Sequence, residues 1–567
     1  MMVKRWLHKE IPAREEVEQL SKAINTNPYL SSILFQLGIR DFEAAKKFFR
    51  PTLEDLHDPF LMKDMEKAVK RLKTALDNEE KILIYGDYDV DGTTAVALVY
   101  SYLRKFYPNC EVYIPDRYAE GYGISLAGID WAEQNGYTLI IALDCGIKSF
   151  EMVRLATQKG IDFVICDHHL PEETVPGAVA VLDPKQEDCG YPCADLSGCG
   201  LGFKFMQAYA QRYRDENELY NFLDLVAVSI ASDIVPITGE NRVLAFHGLK
   251  KLNENPLPGL KALKDIAGVK SDLDVSGIVF TLGPRINAAG RVAHGRAAVD
   301  LLIAKTEEEA NELAEKINLK NEVRKEFDSS ITEEAIAMIE TNNTLRASKS
   351  TVLFKNTWHK GVIGIVAARC VEKFYRPTVI LTESNNKITG SARSVYGFDL
   401  YNAILGCSDL LEKFGGHKYA AGLTLDVRNL EAFQQRFEEV VSSTITDEML
   451  IPVIDIDVPI QLDVISPKFL NILKQMGPFG PENQKPVFEA RNVYVFNSLS
   501  SFKDRHIKFL VGQDGSDSVF QAVGFDQAEY YKQIARGDSF RMAFTIEENV
   551  YNGTTSVQLR IKDIKFD

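Results

Sequence analysis

The chain has 567 residues, 45% of them hydrophobic and 26% charged, which is the composition of an ordinary globular protein with room for three or four domains. Its formal net charge of −15 argues against a protein that coats nucleic acid without specificity, although a local basic groove is compatible with this charge. The first residues contain no apolar signal segment, and no stretch reaches the roughly 18 apolar residues of a membrane span. We therefore expect a soluble, cytoplasmic protein.

Short β-rich runs alternate with amphipathic helical patterns after a mixed, helical segment of about 60 residues. The runs read "KILIYG", "CEVYIP", "YTLIIALD", "DFVICD" and "AVAVLDP". Near-continuous apolar strands between helices predict a parallel sheet that is covered on both faces. We expect residues 1–60 to pack, as a helical segment, on an α/β catalytic domain over residues 61–305.

The remaining sequence predicts three further parts. Residues 306–345 are charged and lack Gly and Pro up to Glu340, which predicts a long connecting helix of about 50 Å. A second α/β pattern covers residues 346–450 and includes two glycine-rich segments, "TGSARS" and "FGGHKYAAG", which predict loops. Residues 451–567 alternate apolar and polar side chains between turn residues, which indicates an antiparallel sheet closed into a small β-barrel.

The eight cysteines are scattered along the chain. Cys189, Cys193 and Cys199 come closest to a cluster, but one CxxxC pair with a third cysteine six residues on fits zinc spacing poorly. We expect reduced thiols, since a chain of this length has no need of disulfide bonds.

Acidic residues and histidines follow four apolar runs, "KILIYG", "YTLIIALD", "DFVICD" and "LVAVSIAS", at the strand ends where a parallel sheet collects its functional groups. A single Asp at such a place is explained by helix capping, but three alternating acids and a DHH triplet are not. The residues concerned are Asp87, Asp89, Asp91, Asp144, Asp167, His168, His169 and Asp233.

The spacing of the first three acids indicates a metal site. Side chains at every second position of an extended chain point the same way, so Asp87, Asp89 and Asp91 converge if the chain stays extended. Converging carboxylates repel each other unless cations lie between them. Oxygen ligands with a little imidazole suit Mg²⁺ or Mn²⁺, and two such ions form a hydrolytic centre for phosphoryl groups.

The motifs "DYDVDG", "DCG", "DHH" and "SDIVP", in this order, resemble those of the DHH phosphoesterases. The segments "GPRINAAGR", "GSARS", "GGHKYAAG" and "MGPFGPENQKPVF" narrow the resemblance to the RecJ-like exonucleases, over nearly the whole chain. The resemblance implies a DNA repair and recombination enzyme that degrades single-stranded DNA from 5′ to 3′ with two Mn²⁺ or Mg²⁺ ions. It also implies that the C-terminal barrel is an OB-fold.

The resemblance assigns roles to the acids and histidines. Asp144 is expected to bridge both ions, Asp87 to support the ligands, His169 to contact the scissile phosphate, and Asp167 to orient a histidine. The expected direct metal ligands are Asp89, Asp91, Asp144, His168 and Asp233.

Substrate contacts are expected in glycine-rich loops that also contain basic residues, because glycine lets backbone amides approach phosphate and Arg binds it with two hydrogen bonds. Arg117 is the candidate for a 5′ phosphate and Tyr122 for stacking on an unpaired base. Arg296 and Lys418 are interpreted as solvated charges, and Trp358 as a core residue. The other expected contacts are Arg285, Arg291, Ser391, Arg393 and His417, and Phe502, Lys503, Arg505 and Lys508 fit the composition of a DNA-binding barrel.

The expected partner is single-stranded DNA, with a single-strand-binding protein or a helicase as a protein partner, and we expect a monomer. One alternative is a DHH phosphodiesterase for short oligonucleotides or cyclic dinucleotides, which the long C-terminal region opposes. Another is a non-catalytic replication scaffold on the same fold, which predicts lost metal ligands. An inorganic pyrophosphatase fits less well, because it has no use for a long groove.

Overall fold

The computed structural model describes residues 3–292, 294–551 and 554–566, which form two compact units. Unit I consists of Asp41–Val323 and Lys474–Lys485. Unit II consists of the described residues up to Arg40, of Arg324–Leu473 and of those from Pro486 onward. Within the described ranges, no helix is long and apolar enough to cross a membrane. The domain limits expected from the sequence stay predictions.

The secondary structure is mixed α/β. The strands are β1 (Arg5–His8), β2 (Lys81–Gly86), β3 (Cys110–Tyr113), β4 (Tyr137–Leu143), β5 (Asp162–Cys166), β6 (Ala180–Leu182), β7 (Thr351–Phe354), β8 (Thr378–Ser384), β9 (Lys387–Arg393), β10 (Lys413–His417), β11 (Ala420–Leu425), β12 (Val453–Ile456), β13 (Val458–Pro459), β14 (Phe488–Phe502), β15 (His506–Gln513), β16 (Ser516–Gly524), β17 (Phe540–Tyr551) and β18 (Thr554–Phe566). The helices are α1 (Arg14–Ala23), α2 (Pro28–Gln36), α3 (Phe42–Phe49), α4 (Met65–Asp77), α5 (Val90–Leu103), α6 (Leu126–Gln134), α7 (Phe150–Gln158), α8 (Gly198–Tyr213), α9 (Leu223–Ser232), α10 (Gly239–Glu254), α11 (Pro258–Ile266), α12 (Val275–Val292), α13 (Arg296–Leu302), α14 (Glu307–Thr341), α15 (Asn343–Ala347), α16 (Ile363–Phe374), α17 (Leu400–Leu405), α18 (Leu430–Thr444), α19 (Pro467–Gln475) and α20 (Tyr531–Ile534).

Unit I contains a parallel sheet of strand order β3-β2-β4-β5-β6. Alternate residues of its central strands belong to apolar clusters on opposite faces: Ile82 and Ile84 to one cluster, Leu83 and Tyr85 to the other. Since both faces are covered, the strands read as continuous apolar runs. The predicted parallel sheet is confirmed.

The apolar run before Asp233 forms helix α9, so the expectation of a strand end at this position was wrong. Every residue from Leu223 to Ala231 is buried, because α9 packs against α5, α8, α10 and α12. A short continuous apolar run is compatible with a buried helix as well as with a buried strand, and its periodicity cannot separate the two.

The charged stretch after residue 306 forms the single helix α14, as predicted. Its 35 residues correspond to about 50 Å at 1.5 Å per residue. The boundary between the two units falls within this helix, at Val323 and Arg324.

Unit II contains a second sheet, of strand order β10-β11-β9-β8-β7, in which only β7 and β8 are parallel. The two glycine-rich segments form strands β9, β10 and β11 of this sheet, so the loops predicted for them were wrong. A Cβ added at Gly390 would lie 2.4 Å from the Leu381 side chain. Here glycine allows close packing within a sheet, whereas in the sequence alone it is a turn signal.

The C-terminal region of unit II is a closed barrel. Its strands follow the order β14-β15-β16-β18-β17, and β17 pairs with β14 to complete the circle. The N-terminal segment is not wholly helical, because β1 pairs with β12, and the Trp6 indole donates to Asp563 at 2.8 Å. The predicted barrel is confirmed.

Two smaller expectations also agree with the structure. All eight cysteines are free thiols, including the three that come closest to a cluster. Trp358 is 4% exposed and donates its indole N–H to Glu334 at 2.8 Å, so it is a core residue.

An ion pair with no solvent exposure ties α8 to α10. The Lys204 ammonium donates to the Glu240 carboxylate at 2.9 Å and to the His57 carbonyl at 2.6 Å. The other Glu240 oxygen accepts a hydrogen bond from the Tyr191 hydroxyl at 2.6 Å. Because both charges are desolvated, losing one partner leaves the other uncompensated.

We expect Lys204→Met to lower the free energy of unfolding by about 3 to 5 kcal/mol, since it leaves Glu240 buried without a counter-ion. Urea unfolding of the full chain, followed by circular dichroism, measures the change. The control is Lys316→Ala, which breaks an exposed pair with Glu312 and should cost less than about 1 kcal/mol. Equal losses in the two variants would contradict a stabilising role for the buried pair.

Candidate metal centre

Three strands of the unit I sheet end at the same level. Gly86 pairs with Leu143, and Leu143 pairs with Cys166. The next residues along these strands are Asp87, Asp144 and Asp167, the last followed by the two histidines of the DHH triplet. The sheet register therefore brings these groups to one edge.

Asp89 and Asp91 reach this edge by a route different from the predicted one. The chain stops being extended at Asp89, which caps α5 by accepting the Gly92 N–H at 3.0 Å. Asp91 lies in the first turn of α5, so the argument from alternation in an extended chain was wrong for it. An Asp at this position is a strong helix-capping signal, and the helix begins there.

The Asp91 carboxylate lies at the N-terminus of a second helix, α8. It accepts hydrogen bonds from the amides of Gly198 at 2.6 Å and Cys199 at 2.8 Å, and from the Ser229 hydroxyl at 2.6 Å. Amide donors at a helix N-terminus favour a negative charge. These contacts orient the carboxylate, which is 2% exposed.

Three acids surround the imidazole of His168. Its Nε2 atom lies 3.2 Å from Asp144 Oδ1, 3.6 Å from Asp91 Oδ2 and 3.6 Å from Asp233 Oδ2. Asp144, His168 and His169 have potential ligand atoms within 4.8 Å of one another, and so do Asp91, His168 and Asp233. The structure thus brings together four of the five predicted direct ligands around one nitrogen, and the fifth, Asp89, lies on the same turn as Asp91.

Asp87 is a buried carboxylate whose two oxygens have no hydrogen-bond partner among the described residues. Burial, and secondly the charge of Asp89, raise its pKa well above the usual range. Burial and the charges of Asp91 and Asp89 do the same to the pKa of Asp144. Buried unpaired carboxylates are costly, and a divalent cation removes this cost, so the donor set fits the two-ion site predicted from the sequence.

His169 is oriented by Asp167. One Asp167 oxygen accepts from Nδ1 of His169 at 2.7 Å and from its backbone N–H at 3.1 Å, and the other accepts from the Ile147 N–H at 2.9 Å. Burial alone would lower the pKa of His169, but the hydrogen bond and charge of Asp167 raise it to about 9. Nε2 of His169 lies 3.1 Å from the Tyr122 hydroxyl.

Two predicted substrate residues lie beside this edge. Tyr122 is 56% exposed and packs edge-on against both Tyr88 and His169. The Arg117 guanidinium lies 5.0 Å above the ring of Tyr88, the residue between two of the predicted acids. An exposed aromatic ring and a cation therefore lie next to the candidate metal ligands.

Arg285 and Arg291 lie within helix α12, so their expected placement in a glycine-rich loop was wrong. A Cβ at Gly290 would lie 2.5 Å from the Tyr88 carbonyl oxygen, so this glycine allows the helix to pack closely on the loop of acids. The Arg285 guanidinium donates to Thr281 at 2.8 Å and to Asn318 at 3.1 Å. Arg296, interpreted as a solvated charge, is partly exposed and is paired with Asp300 at 2.7 Å and Glu111 at 3.2 Å.

Ser391, Arg393 and His417 belong to unit II, where the first two lie on β9 and the third on β10, the two strands that flank β11. Arg393 donates to the Ser391 hydroxyl at 3.1 Å, and both Arg393 and His417 pair in register with Ala420 on β11. A Cβ at Gly364 would lie 2.9 Å from Ser391 Oγ and 3.0 Å from Arg393 Nη2. The structure thus groups these three residues within unit II.

Three family models match the chain: the DHH family N-terminal domain over residues 81–230, the DHHA1 domain over 346–443 and the RecJ OB domain over 456–563. The single-stranded-DNA-specific exonuclease RecJ of Bacillus subtilis (strain 168) is 34% identical over 556 residues, covering 97% of this chain and 70% of that protein. The chain belongs to the RecJ family.

Solved RecJ structures share the fold of this chain. The crystal structure of RecJ in complex with Mn²⁺ from Thermus thermophilus has a TM-score of 0.84 at 24% identity, covering 99% of this chain and 80% of that one. A crystal structure of exonuclease RecJ bound to manganese has a TM-score of 0.59 at 28% identity, covering 70% and 98%. The predicted resemblance and the fold are confirmed.

The sequence interpretation missed two features of this RecJ site. Asp183 follows β6 and is fully buried with one unpaired oxygen, and burial raises its pKa to about 7. The strand-end rule applies to it as it does to Asp87, so the sequence contained the signal. Ser229 and the two α8 amides that bind Asp91 have no local signal, because they come from distant parts of the chain.

The pKa of Asp233 in the metal-free protein is raised to about 8, first by burial and then by Asp91 and Asp89. A carboxyl group with a higher pKa in the folded state than in the unfolded state stabilises the folded state while it is protonated. This stabilisation is lost as pH rises from the unfolded pKa of about 3.9 through the folded pKa. In EDTA, we therefore expect wild type to lose stability relative to Asp233→Asn as pH rises from about 4 to about 8.

Urea unfolding across this pH range measures the difference between the two proteins. The control is Asp188→Asn, at an exposed surface pair with Lys63. Parallel stability profiles for wild type and Asp233→Asn would show that the site acids are not destabilised in the absence of metal.

Proposed function

We propose that the chain hydrolyses phosphodiester bonds of single-stranded DNA from the 5′ end, in DNA repair and recombination. The observation that supports this most directly is the convergence of Asp91, Asp144 and Asp233 on His168 at 3.2 to 3.6 Å in a RecJ-family chain. Relatives named single-stranded-DNA-specific exonucleases match it over 97% of its length.

Asp89, Asp91, Asp144, His168 and Asp233 would bind two Mn²⁺ or Mg²⁺ ions, with Asp144 shared and Asp87 in support. When bound, such ions lower the pKa of water and polarise the phosphoryl group. The residues of the chain do the positioning: the α8 amides fix Asp91, and the sheet register fixes Asp144 beside His168. A related RecJ was solved bound to manganese.

His169 would contact the scissile phosphate. Its Nδ1 is engaged by Asp167, which leaves Nε2 as the atom that faces the site beside Tyr122. In the metal-free protein the pKa of His169 is raised to about 9, and the hydrogen bond to Asp167 favours the protonated ring, which would donate a charged hydrogen bond to a phosphate oxygen.

Preference for single strands would arise at Tyr122, because only an unpaired base can stack on an exposed ring. Direction would arise at Arg117, which would bind a terminal 5′ phosphate. Arg285, Arg291, Ser391, Arg393 and His417 stay candidates for contacts along the strand, as do the barrel residues Phe502, Lys503, Arg505 and Lys508.

A phosphodiesterase for short substrates is less well supported, because the chain includes a RecJ OB domain over residues 456–563. A non-catalytic scaffold is also less well supported, since every predicted ligand is present. Digestion of 5′- and 3′-labelled single strands, with and without Mn²⁺, distinguishes these functions. A single-strand-binding protein or helicase partner, a monomeric state and a cytoplasmic location stay predictions.

Asp144→Ala should reduce kcat on single-stranded DNA by at least about 10³-fold under saturating Mn²⁺, because it removes the shared ligand. Binding of a fluorescent single strand, measured by anisotropy, should change little, and so should the circular dichroism spectrum. Asp188→Ala, on the surface, is the matched control. Turnover like that of wild type in Asp144→Ala would refute the two-ion assignment.

Arg117→Ala should lower the preference for 5′-phosphorylated over 5′-hydroxyl strands by about 10-fold or more, the value of one charged hydrogen bond. The comparison of kcat/KM for the two substrates measures this, and kcat on saturating hydroxyl-ended substrate should change much less. The exposed Arg154, paired with Glu151 on its own helix, supplies the control Arg154→Ala. An unchanged end preference would exclude Arg117 from the site.

A further inference from the structure

The motif "MGPFGPENQKPVF" has no role in the function described so far. Its residues 476–485 belong to unit I, although the chain before Lys474 and after Lys485 belongs to unit II. We call Lys474–Lys485 the inserted segment. The segment accepts hydrogen bonds from Ile237 and Arg242, both of which follow the candidate ligand Asp233 in the sequence.

The inserted segment has a fixed conformation of its own. The side chain of Asn483 is 1% exposed and donates to the carbonyls of Met476 at 3.0 Å and Pro478 at 2.8 Å. Gly480 and Asn483 also exchange two backbone hydrogen bonds, of 3.0 and 3.1 Å. These hydrogen bonds therefore fix the orientation of the Pro481 carbonyl, which lies between Gly480 and Asn483.

Hydrogen bonds and a close packing contact attach the segment to helix α10 and the turn before it. The Arg242 guanidinium stacks on Phe48 at 3.7 Å and donates to the Gly477 carbonyl at 2.8 Å. The Pro481 carbonyl accepts the Ile237 N–H at 2.8 Å. Gly480 lies directly against the same residue, since a Cβ there would be 2.5 Å from Ile237 Cγ1.

Ile237 is the buried end of the short connection between Asp233 and α10. Next to Asp233, Ile234 has a φ of +60° and a side chain that is 63% exposed, whereas Val235 is 7% exposed. Asp233 ends helix α9, whose Ser229 carbonyl accepts the Asp233 N–H at 2.9 Å. The position of the Asp233 carboxylate, 3.6 Å from His168 Nε2, therefore depends on α9 on one side and on this connection on the other.

We propose that the inserted segment is a positioning element for the metal centre, with Gly480 and Pro481 as positioning residues. By fixing Ile237 through one hydrogen bond and one close contact, they set the connection that places Asp233 among the other ligands. Neither residue touches the substrate. The inference rests on the metal ligation that we propose for Asp233.

Gly480→Ala tests the inference, because its methyl group displaces Ile237. In the full-length protein without DNA, we expect its Mn²⁺ dissociation constant, measured by the EPR signal of free Mn²⁺, to rise about 10-fold, as is usual when support of a ligand is lost. Saturating Mn²⁺ should restore kcat to within about threefold of wild type. Ile237→Ala combined with Gly480→Ala removes the clashing carbon and should restore most of the affinity.

The control is Gly390→Ala in unit II, whose Cβ would lie 2.4 Å from the Leu381 side chain. It should lower the melting temperature without changing Mn²⁺ affinity. Equal loss of affinity in Gly480→Ala and Gly390→Ala, or none in Gly480→Ala, would overturn the inference. If Gly480→Ala does not yield folded protein, Asn483→Ala takes its place with the same expectation.

Asp233→Asn, measured in parallel, distinguishes metal ligation by Asp233 from the positioning role of the inserted segment. Unchanged Mn²⁺ binding in Asp233→Asn would refute the metal ligation itself and the inference with it. Weaker binding in Asp233→Asn together with wild-type binding in Gly480→Ala would refute only the positioning role.

Discussion

Mutual repulsion of carboxylates around one imidazole is the constraint on which the rest of unit I depends. Asp91, Asp144 and Asp233 approach His168, and Asp87 is buried nearby without a partner among the described residues. Without cations, this arrangement opposes folding, as the raised pKa values of Asp87, Asp144 and Asp233 indicate. The surrounding structure has to supply enough stability to bring these charges together.

Rigid elements from distant parts of the chain meet this requirement. Asp144 comes from a strand end, Asp91 from a helix start and Asp233 from a helix end, and Asp91 is further held by the first amides of α8. The same helix is tied to α10 by the buried Lys204–Glu240 pair. Since no two neighbouring elements form the site alone, the geometry exists only in the folded unit, and metal binding must stabilise that fold.

The periodic pattern of apolar residues was sufficient to predict the parallel sheet, the long helix, the barrel and the acids at the strand ends. Sequence-based prediction failed where the same residue types are compatible with two different structures. The apolar run before Asp233 suits a buried helix or a buried strand, and the glycines of β9 and α12 permit close packing where the sequence suggested turns. Contacts between distant residues, such as Ser229 with Asp91, have no sequence pattern at all.

The two adjacent histidines of the DHH triplet differ in pKa because their surroundings differ, and this difference suits the two roles that we propose for them. Burial lowers the pKa of His168, so its ring is neutral at physiological pH and Nε2 can offer a lone pair to a cation. His169 is one residue further, where the Asp167 carboxylate outweighs burial and raises the pKa to about 9, so its ring keeps a proton. Exchanging the two surroundings would leave a protonated ring among the proposed metal ligands and a neutral ring at the proposed phosphate contact. The hydrogen bond from His169 to Asp167 is thus as important to the proposed chemistry as the proposed ligands.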